Sequence, residues 1–270
     1  MKLRVVGKSD VGLKRKINED KFLVAPELGL YVIADGMGGH KAGEVASGMV
    51  IETMADYWRK LRAGKPPSFL ASVPDDVSEY GRHLVNSITL ANILIHEAQK
   101  KPKYRRMGST VCALLIEKNC LWAANVGDSA IYLFDHGRLI QVSEEHSVVG
   151  EQKSMGMTSV FATTSPFLKN VLTRVVGVKE SVRVHINLIQ PETGDLLLMC
   201  SDGLTNYVPE AAIKAVLDDT AISIARKVDV FIEEAYRAGG GDNITVILME
   251  VMKESKWDYI KRKFGRKYRQ

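Results

Sequence analysis

Apolar and polar positions along the chain change period several times, and each change marks an element. "DKFLVAPELGLYVIAD", residues 20–35, holds two apolar runs split by "PELG", a turn signal, and predicts a β-hairpin. From Glu44 the apolar positions Val45, Met49, Val50, Met54, Tyr57, Trp58 and Leu61 recur at three and four residues, the spacing of an amphipathic helix. "RAGKPPSF" ends it, because two prolines cannot continue a helix, and Arg62 to Pro74 reads as a solvated loop. A second helix is predicted near residues 76–100, with Val77, Tyr80, Leu84, Ile88, Ala91 and Ile95 on one face and Pro102 closing it.

The middle of the chain takes the pattern of strands. "STVCALLIEKNCLWAANVGDSAIYLFDHGRLIQVS" predicts three or four short strands divided by "EKN", "GD" and "HG". Residues 145–170 have weak periodicity and read as a mobile loop or short helices. Two strands follow, "VRVHINLI" and "DLLLMCSD", then a helix over about Ala221–Tyr236 and a last strand, "NITVILMEV". The connections between strands are too short for crossovers, so most neighbours are expected antiparallel. The order suits an α+β fold: two antiparallel sheets packed face to face as a β-sandwich, flanked by α-helices.

Composition narrows the class without changing this picture. A 46% hydrophobic and 26% charged chain of 270 residues is an ordinary globular protein with enough length for a substantial core. It has no apolar run of about 18 residues to cross a bilayer. "MKLRVVGKSD" has no apolar segment of the secretory type, so the cytoplasm is the expected location. Cys112, Cys120 and Cys200 form no C-x-x-C pair and each sits in an apolar run, which predicts three small buried side chains in a reducing compartment rather than a zinc site.

The net charge of +5 misrepresents the body of the protein. Residues 253–270 alone carry a net +6, so residues 1–252 come to about −1. An argument for nucleic-acid binding from overall charge fails, and no nucleic acid is expected as a partner. The division expected is a 1–252 domain and a 253–270 basic aromatic tail. In the tail, Trp257, Ile260, Phe264 and Tyr268 stand at helical spacing among basic residues. It reads as a helix docked on the sandwich, with a membrane surface or an acidic partner as the alternative contact.

The candidate chemistry lies at strand ends. "YVIADG" (Asp35), "AANVGDS" (Asp128), "LLMCSDG" (Asp202) and "GGGDNITV" (Asp242) each place an aspartate at the end of an apolar run beside glycine, and "NED" adds Glu19 and Asp20. Singly these are turn signals. Strand ends of one sandwich can converge, however, and clustered carboxylates repel unless a cation sits between them. An all-oxygen donor set favours hard divalent ions such as Mg²⁺ or Mn²⁺, and the glycines let backbone carbonyls such as that of Gly36 approach. The expectation from the residues is a two-metal site.

Seven stretches in order, "LKRKINED", "ADGMGGHKAGEVAS", "GSTVCALLI", "ANVGDSAIYLF", "LTRVVG", "LLMCSDGLTNYV" and "GGGDNITVILM", resemble the successive motifs of the metal-dependent (type 2C) protein phosphatases in their bacterial form. The resemblance runs from about Gly12 to Val251 and implies a four-layer αββα fold. It implies that Asp35 bridges two Mn²⁺ or Mg²⁺ ions, that the Gly36 carbonyl binds one, and that Asp202 and Asp242 complete the other. Glu19 and Asp20 would act through waters or from behind the ligands, and Asp128 would help Asp202 hold a third, weaker ion. Arg15 aligns with the arginine that grips the substrate phosphate. The implied reaction is hydrolysis of phosphoserine and phosphothreonine by a hydroxide bridging two cations roughly 3.5–4 Å apart, with Arg15, Asp35, Asp202 and Asp242 as the catalytic set. The implied partners are phosphorylated proteins and a cognate bacterial-type Ser/Thr kinase, the phosphatase being a monomer. The alternatives are a catalytically silent binding module on the same fold, or a phosphatase for small molecules.

Some positions depart from the family pattern. Met37 stands where many eukaryotic members have a histidine, which leaves a metal-bound water as the proton source, with His40 offset from that position. Ala130 replaces an arginine after "GDS" and removes an expected ion pair. "SEEHS" has Glu145 where aspartate is common, and His146 is expected to be a structural hydrogen-bonding residue. The 150–170 flap matches in position but little in residues, so substrate preference does not carry over.

Overall fold

In the computed structural model, which describes residues 1–38, 42–156 and 171–253, the chain opens with a strand that its apolar pattern does not announce, β1 (Lys2–Asp10). His40, most of the flap and the tail beyond Lys253 lie outside the described residues. The predicted hairpin follows as β2 (Asp20–Ala25) and β3 (Leu30–Met37), paired antiparallel. Two helices come next, α1 (Ala42–Arg62) and α2 (Glu79–Ala98), the second starting where the Ser78 side chain accepts the Gly81 N–H at 3.2 Å. The central strands are β4 (Gly108–Ser109), β5 (Val111–Glu117), β6 (Cys120–Val126), β7 (Ala130–Asp135) and β8 (Arg138–Gln141). After α3 (Val148–Ser154) come β9 (His185–Ile189) and β10 (Leu196–Cys200). The chain then forms α4 (Asp202–Thr205), α5 (Glu210–Asp218), α6 (Ile224–Arg237) and β11 (Ile244–Met252).

The strands form two sheets, ordered β1-β11-β10-β7-β8 and β2-β3-β5-β6-β9, with β4 on β3. Every paired strand is antiparallel. Between the sheets lie Tyr31, Ile33, Leu114, Ile131, Leu197, Met199, Ile247 and Met249, all buried. Full burial of each larger aliphatic side chain is worth about 1.5–3 kcal/mol, so the middle of the sandwich holds the sheets together and the strand ends are left for other work. On one outer face α1 lays Ala46, Val50, Met54 and Trp58 against the second sheet, and α2 adds Leu84, Ile88, Ala91 and Ile95. On the other face α5 and α6 cover the first sheet through Ile213, Leu217, Val228, Phe231 and Ile232. The layers run αββα.

Lys227 of α6 is 4% exposed, and its ammonium donates to the carbonyls of Val216, Leu217 and Asp219 at 2.6, 2.8 and 2.5 Å. A buried lysine here satisfies the open carbonyls at the end of α5 in place of solvent.

Three expectations need correction. β1, α4 and α5 are absent from the apolar pattern: β1 is an edge strand whose Lys2, Arg4 and Lys8 are exposed, and α5 buries only Ile213 and Leu217. The strand expected over "VRVHINLI" begins only at His185, where pairing with Asn125 of β6 starts. Cys112 and Cys200 are buried free thiols, but Cys120 is partly exposed, since it opens β6 directly after the Lys118–Asn119 turn at the sheet margin.

Candidate metal centre

Antiparallel pairing returns the chain to one edge of the sandwich five times, each time at an acid. Asp20 opens β2 and sits opposite Asp35 near the end of β3. Asp128 lies in the turn between β6 and β7. Ala130 at the start of β7 pairs with Cys200 at the end of β10, so Asp202, two residues on, is brought to the same edge. Cys200 also pairs with Val246, which brings Asp242, just before β11, alongside. A cavity of about 280 Å³ opens there, and Arg15, Glu19, Asp35, Gly36, Asp128, Asp202 and Asp242 all line it. Asp20 does not: it is 2% exposed and lies behind the wall.

Local contacts fix each group. The Asp35 N–H donates to Thr110 Oγ1 at 3.1 Å, and its carbonyl accepts the Thr110 N–H at 2.8 Å and the Ser109 hydroxyl at 3.0 Å. Gly36 donates to the Glu19 carbonyl, and a Cβ placed on Gly36 would lie 2.0 Å from the Gly43 carbonyl oxygen. Only glycine lets β3 run this close to the start of α1. The Glu19 carboxylate lies against Gly43 at the start of α1 while facing the cavity. Asp202 takes a hydrogen bond from Asn206 Nδ2 at 2.8 Å. Asn243 donates from Nδ2 to the carbonyls of Val11 and Ile17 at 2.9 and 3.0 Å and accepts the Glu19 N–H at 2.8 Å. It therefore pins both ends of the loop that carries Arg15. Arg15 reaches in from that loop, and its Nη2 meets Asp242 Oδ2 at 2.8 Å.

The hydroxyl groups around Asp20 carry no sequence signature. Ser201 and Thr245 donate to its Oδ2 at 2.8 and 2.7 Å, while Oδ1 has no donor among the described residues. His146 is fully buried, accepts the Gly127 N–H at Nδ1, and faces the Arg174 guanidinium with Nε2 at 2.9 Å. It ties the Asp128 turn to the segment that follows the flap, and burial, with Arg174 next, lowers its pKa to about 4.

Electrostatics shows what the acids lack. Burial pushes the Asp35 carboxyl well up, and the charges of Asp20, Asp202, Asp128 and Asp242 push it further. Asp202 is raised to about 7, by burial first and then by Asp128 and Asp242. Asp128 is raised to about 6, again chiefly by burial, with Glu145 and Asp242 adding to it. Without a cation, protons must neutralise part of this set. The carboxylates of Glu19, Asp35, Asp128, Asp202 and Asp242 in the wall, with no His or Cys among its described residues, fit hard divalent ions.

All these shifts are upward, which sets the sign of a pH effect. The stability gained from protonation in the folded, metal-free protein is fully present below the unfolded value of 3.8 and is lost as pH passes about 6 for Asp128 and about 7 for Asp202. The metal-free protein should melt lower as pH rises from about 6 to about 8, above the range in which His146, lowered to about 4, contributes in the opposite sense. Added Mn²⁺ should restore roughly 5 °C or more at the upper end and less at the lower. Scanning calorimetry with and without metal checks this; a flat profile would show that the acids are not coupled.

A different ligand-like group lies at the opposite ends of the same strands. Asp135, His136 and Asp195 bring ligand atoms within 4.8 Å of one another, a histidine-containing cluster that the sequence reading did not anticipate. Arg138 already neutralises Asp135 at 2.6 Å, and Asp195 accepts the Glu192 N–H at 2.7 Å. Nothing further points to an ion there.

Comparison with known proteins leads the same way. The protein phosphatase 2C family profile matches residues 14–233. The serine/threonine phosphatase stp of Listeria welshimeri is 35% identical over 246 residues, 90% of this chain and 94% of the relative. The protein phosphatase PhpP of Streptococcus pneumoniae is 31% identical over 249 residues, 91% and 96% of the two chains. Among solved structures, the serine/threonine phosphatase PstP of Mycobacterium tuberculosis superposes with a TM-score of 0.79 at 30% identity, covering 93% of this chain and 99% of its own. The PstP catalytic domain in complex with two manganese ions gives 0.74 at the same identity, over 93% and 99% of the two chains. With an αββα sandwich, an acid-lined cavity at one edge and matches along nearly its whole length, this chain belongs to the protein phosphatase 2C family.

Proposed function

We propose that this protein phosphatase removes phosphoryl groups from phosphoserine and phosphothreonine in proteins, using two Mn²⁺ or Mg²⁺ ions held in the edge cavity. The observation that carries the reading is the convergence of Asp35, Asp128, Asp202 and Asp242 on one cavity whose wall also holds an arginine. Asp35 and the Gly36 carbonyl would hold one ion, and Asp35, Asp202 and Asp242 the other. Asp128 with Asp202 would hold a third, weaker ion. Asp20 would support these ligands from behind, and Glu19, in the wall, would act through waters. When bound, such ions acidify water and withdraw charge from phosphoryl oxygens.

The chain's own residues position the rest. Arg15 commits Nη2 to Asp242 and keeps the remainder of its planar donor fork for the phosphoryl oxygens. Among the described residues no side chain in the wall is built as a nucleophile: their one hydroxyl there, on Thr110, is engaged by Ser129 at 2.7 Å and by the Asp35 N–H. Direct transfer to water is therefore favoured over a phosphoenzyme, with a second water as the proton source for the leaving alkoxide. Met37 in the wall has no proton to give. The natural counterpart of the reaction is a Ser/Thr kinase that installs these phosphates. Hydrolysis of a phosphothreonine peptide should require Mn²⁺ or Mg²⁺ and stop on chelation; turnover that persists in excess EDTA sinks the proposal.

A further inference from the structure

The segment just before β4 carries Lys100, Lys101, Lys103, Arg105 and Arg106, five cations with no acid among them. Lys100 is taken by Glu97 at 2.6 Å. Lys101, Lys103, Arg105 and Arg106 are exposed, and no carboxylate of the described residues forms an ion pair with any of them. In a body whose net charge is close to neutral, this is a local positive field.

The segment is held in place rather than trailing. The Tyr104 N–H donates to the Lys101 carbonyl at 2.9 Å, Arg105 to Pro102 at 3.4 Å and Met107 to Tyr104 at 3.4 Å. Lys103 Nζ sits 4.5 Å from the centre of the Tyr104 ring. Arg106 has φ +62°, in the left-handed region. The two other described non-glycine residues there, Lys118 and His136, sit in tight turns between paired strands, where the turn itself asks for it. Arg106 instead turns the chain into buried Met107 and then β4, which pairs with Gly36 and Met37. Both of these line the cavity. Two residues of chain span at most about 7 Å and the pairing of Gly108 with Met37 adds about 5 Å, so the Cα of Arg106 lies within about 12 Å of a residue in the cavity wall.

We propose that Lys101, Lys103, Arg105 and Arg106 form a docking surface for acidic residues flanking the phosphoresidue of a protein substrate. This rests on the phosphoprotein reading and deepens it by naming the substrate class. The cavity wall itself is acidic, and an acidic peptide would be turned away from Glu19 and Asp242 unless the rim offered a compensating field. A preformed turn offers that field without ordering a loop on binding. A single-stranded nucleic acid would stack its bases on aromatic faces between the cations, and the one available, Tyr104, is covered by Lys103.

The test compares two phosphothreonine peptides with the same core, one flanked by Asp and Glu, the other by Asn and Gln. The wild type should favour the acidic peptide by about tenfold in kcat/KM at low salt, about 1.4 kcal/mol. That preference should fall towards one as salt shortens the screening length, a measurement that needs no variant. In Lys101→Ala/Lys103→Ala/Arg105→Ala/Arg106→Gly the ratio should be near one at all salt concentrations. A wild type that treats the two peptides alike, or a variant that keeps the preference, overturns the inference. A wild type that hydrolyses p-nitrophenyl phosphate but neither peptide overturns the phosphoprotein reading, and this inference with it.

Discussion

Asp35→Asn should lower Mn²⁺-supported turnover of p-nitrophenyl phosphate by about a thousandfold or more, while the metal-free variant melts no lower than the metal-free wild type. The two halves have separate causes. Burial and the charges of Asp20, Asp202, Asp128 and Asp242 all bear on the Asp35 carboxyl, which in the proposed site is the group that two cations would share. An amide loses that charge and the transition-state stabilisation that depends on it. In the metal-free fold the same carboxyl is a liability, pushed up by burial and by four like charges, and an isosteric amide relieves the repulsion. The Asp35 backbone contacts to Thr110 and Ser109 do not involve the carboxyl and are kept. Added Mn²⁺ should then raise the melting temperature of the wild type and leave that of the variant nearly unchanged. Paired melting curves and turnover measurements check this. A variant that loses activity and melts lower without metal would make Asp35 a structural residue instead.

Arg15→Ala should lower kcat/KM by about a hundredfold, on the order of the 1.5–3 kcal/mol lost with each charged hydrogen bond. The guanidinium is half exposed, at 49%, and it stands on a loop fixed at both ends by Asn243, so its removal leaves the fold intact. Arg15→Lys should recover less than a tenth of the loss, because an ammonium is a point charge and cannot present two parallel donors to a phosphoryl group. Manganese affinity, measured by calorimetry, should move by only a fewfold in either variant. A lysine variant with wild-type kinetics would show that charge alone matters at this position, and a large fall in metal affinity would assign Arg15 to holding Asp242 in place instead of to the substrate.

Much of this arrangement can be read from the residues, and what cannot has a physical reason. α1 follows from local period, since its apolar residues face one packed layer, and the 20–35 hairpin from two apolar runs about a turn signal, β3 being buried on both faces. β1 does not, because an edge strand covered on one side mixes lysines and arginine into its pattern. The four Asp-Gly stretches are legible as acids at strand ends, but their convergence depends on register: the pairing of Cys200 with both Ala130 and Val246 brings Asp202 and Asp242 together, and no local pattern states it. The supporting hydroxyls are less legible still. Ser201 and Thr245 look like ordinary strand-end residues, yet both donate to Asp20, which is far away in sequence. Asp20 also shows how neighbours in "NED" part company, Glu19 facing the cavity and Asp20 pointing into the sandwich, as alternation along a strand requires.

Anomalous diffraction at the manganese edge, from crystals soaked in Mn²⁺, locates the ions directly. Two peaks are expected in the edge cavity, roughly 3.5–4 Å apart, with Asp35 between them and Asp202 and Asp242 around one. An empty cavity, or a lone peak at Asp135, His136 and Asp195 on the far side of the sandwich, would contradict the account.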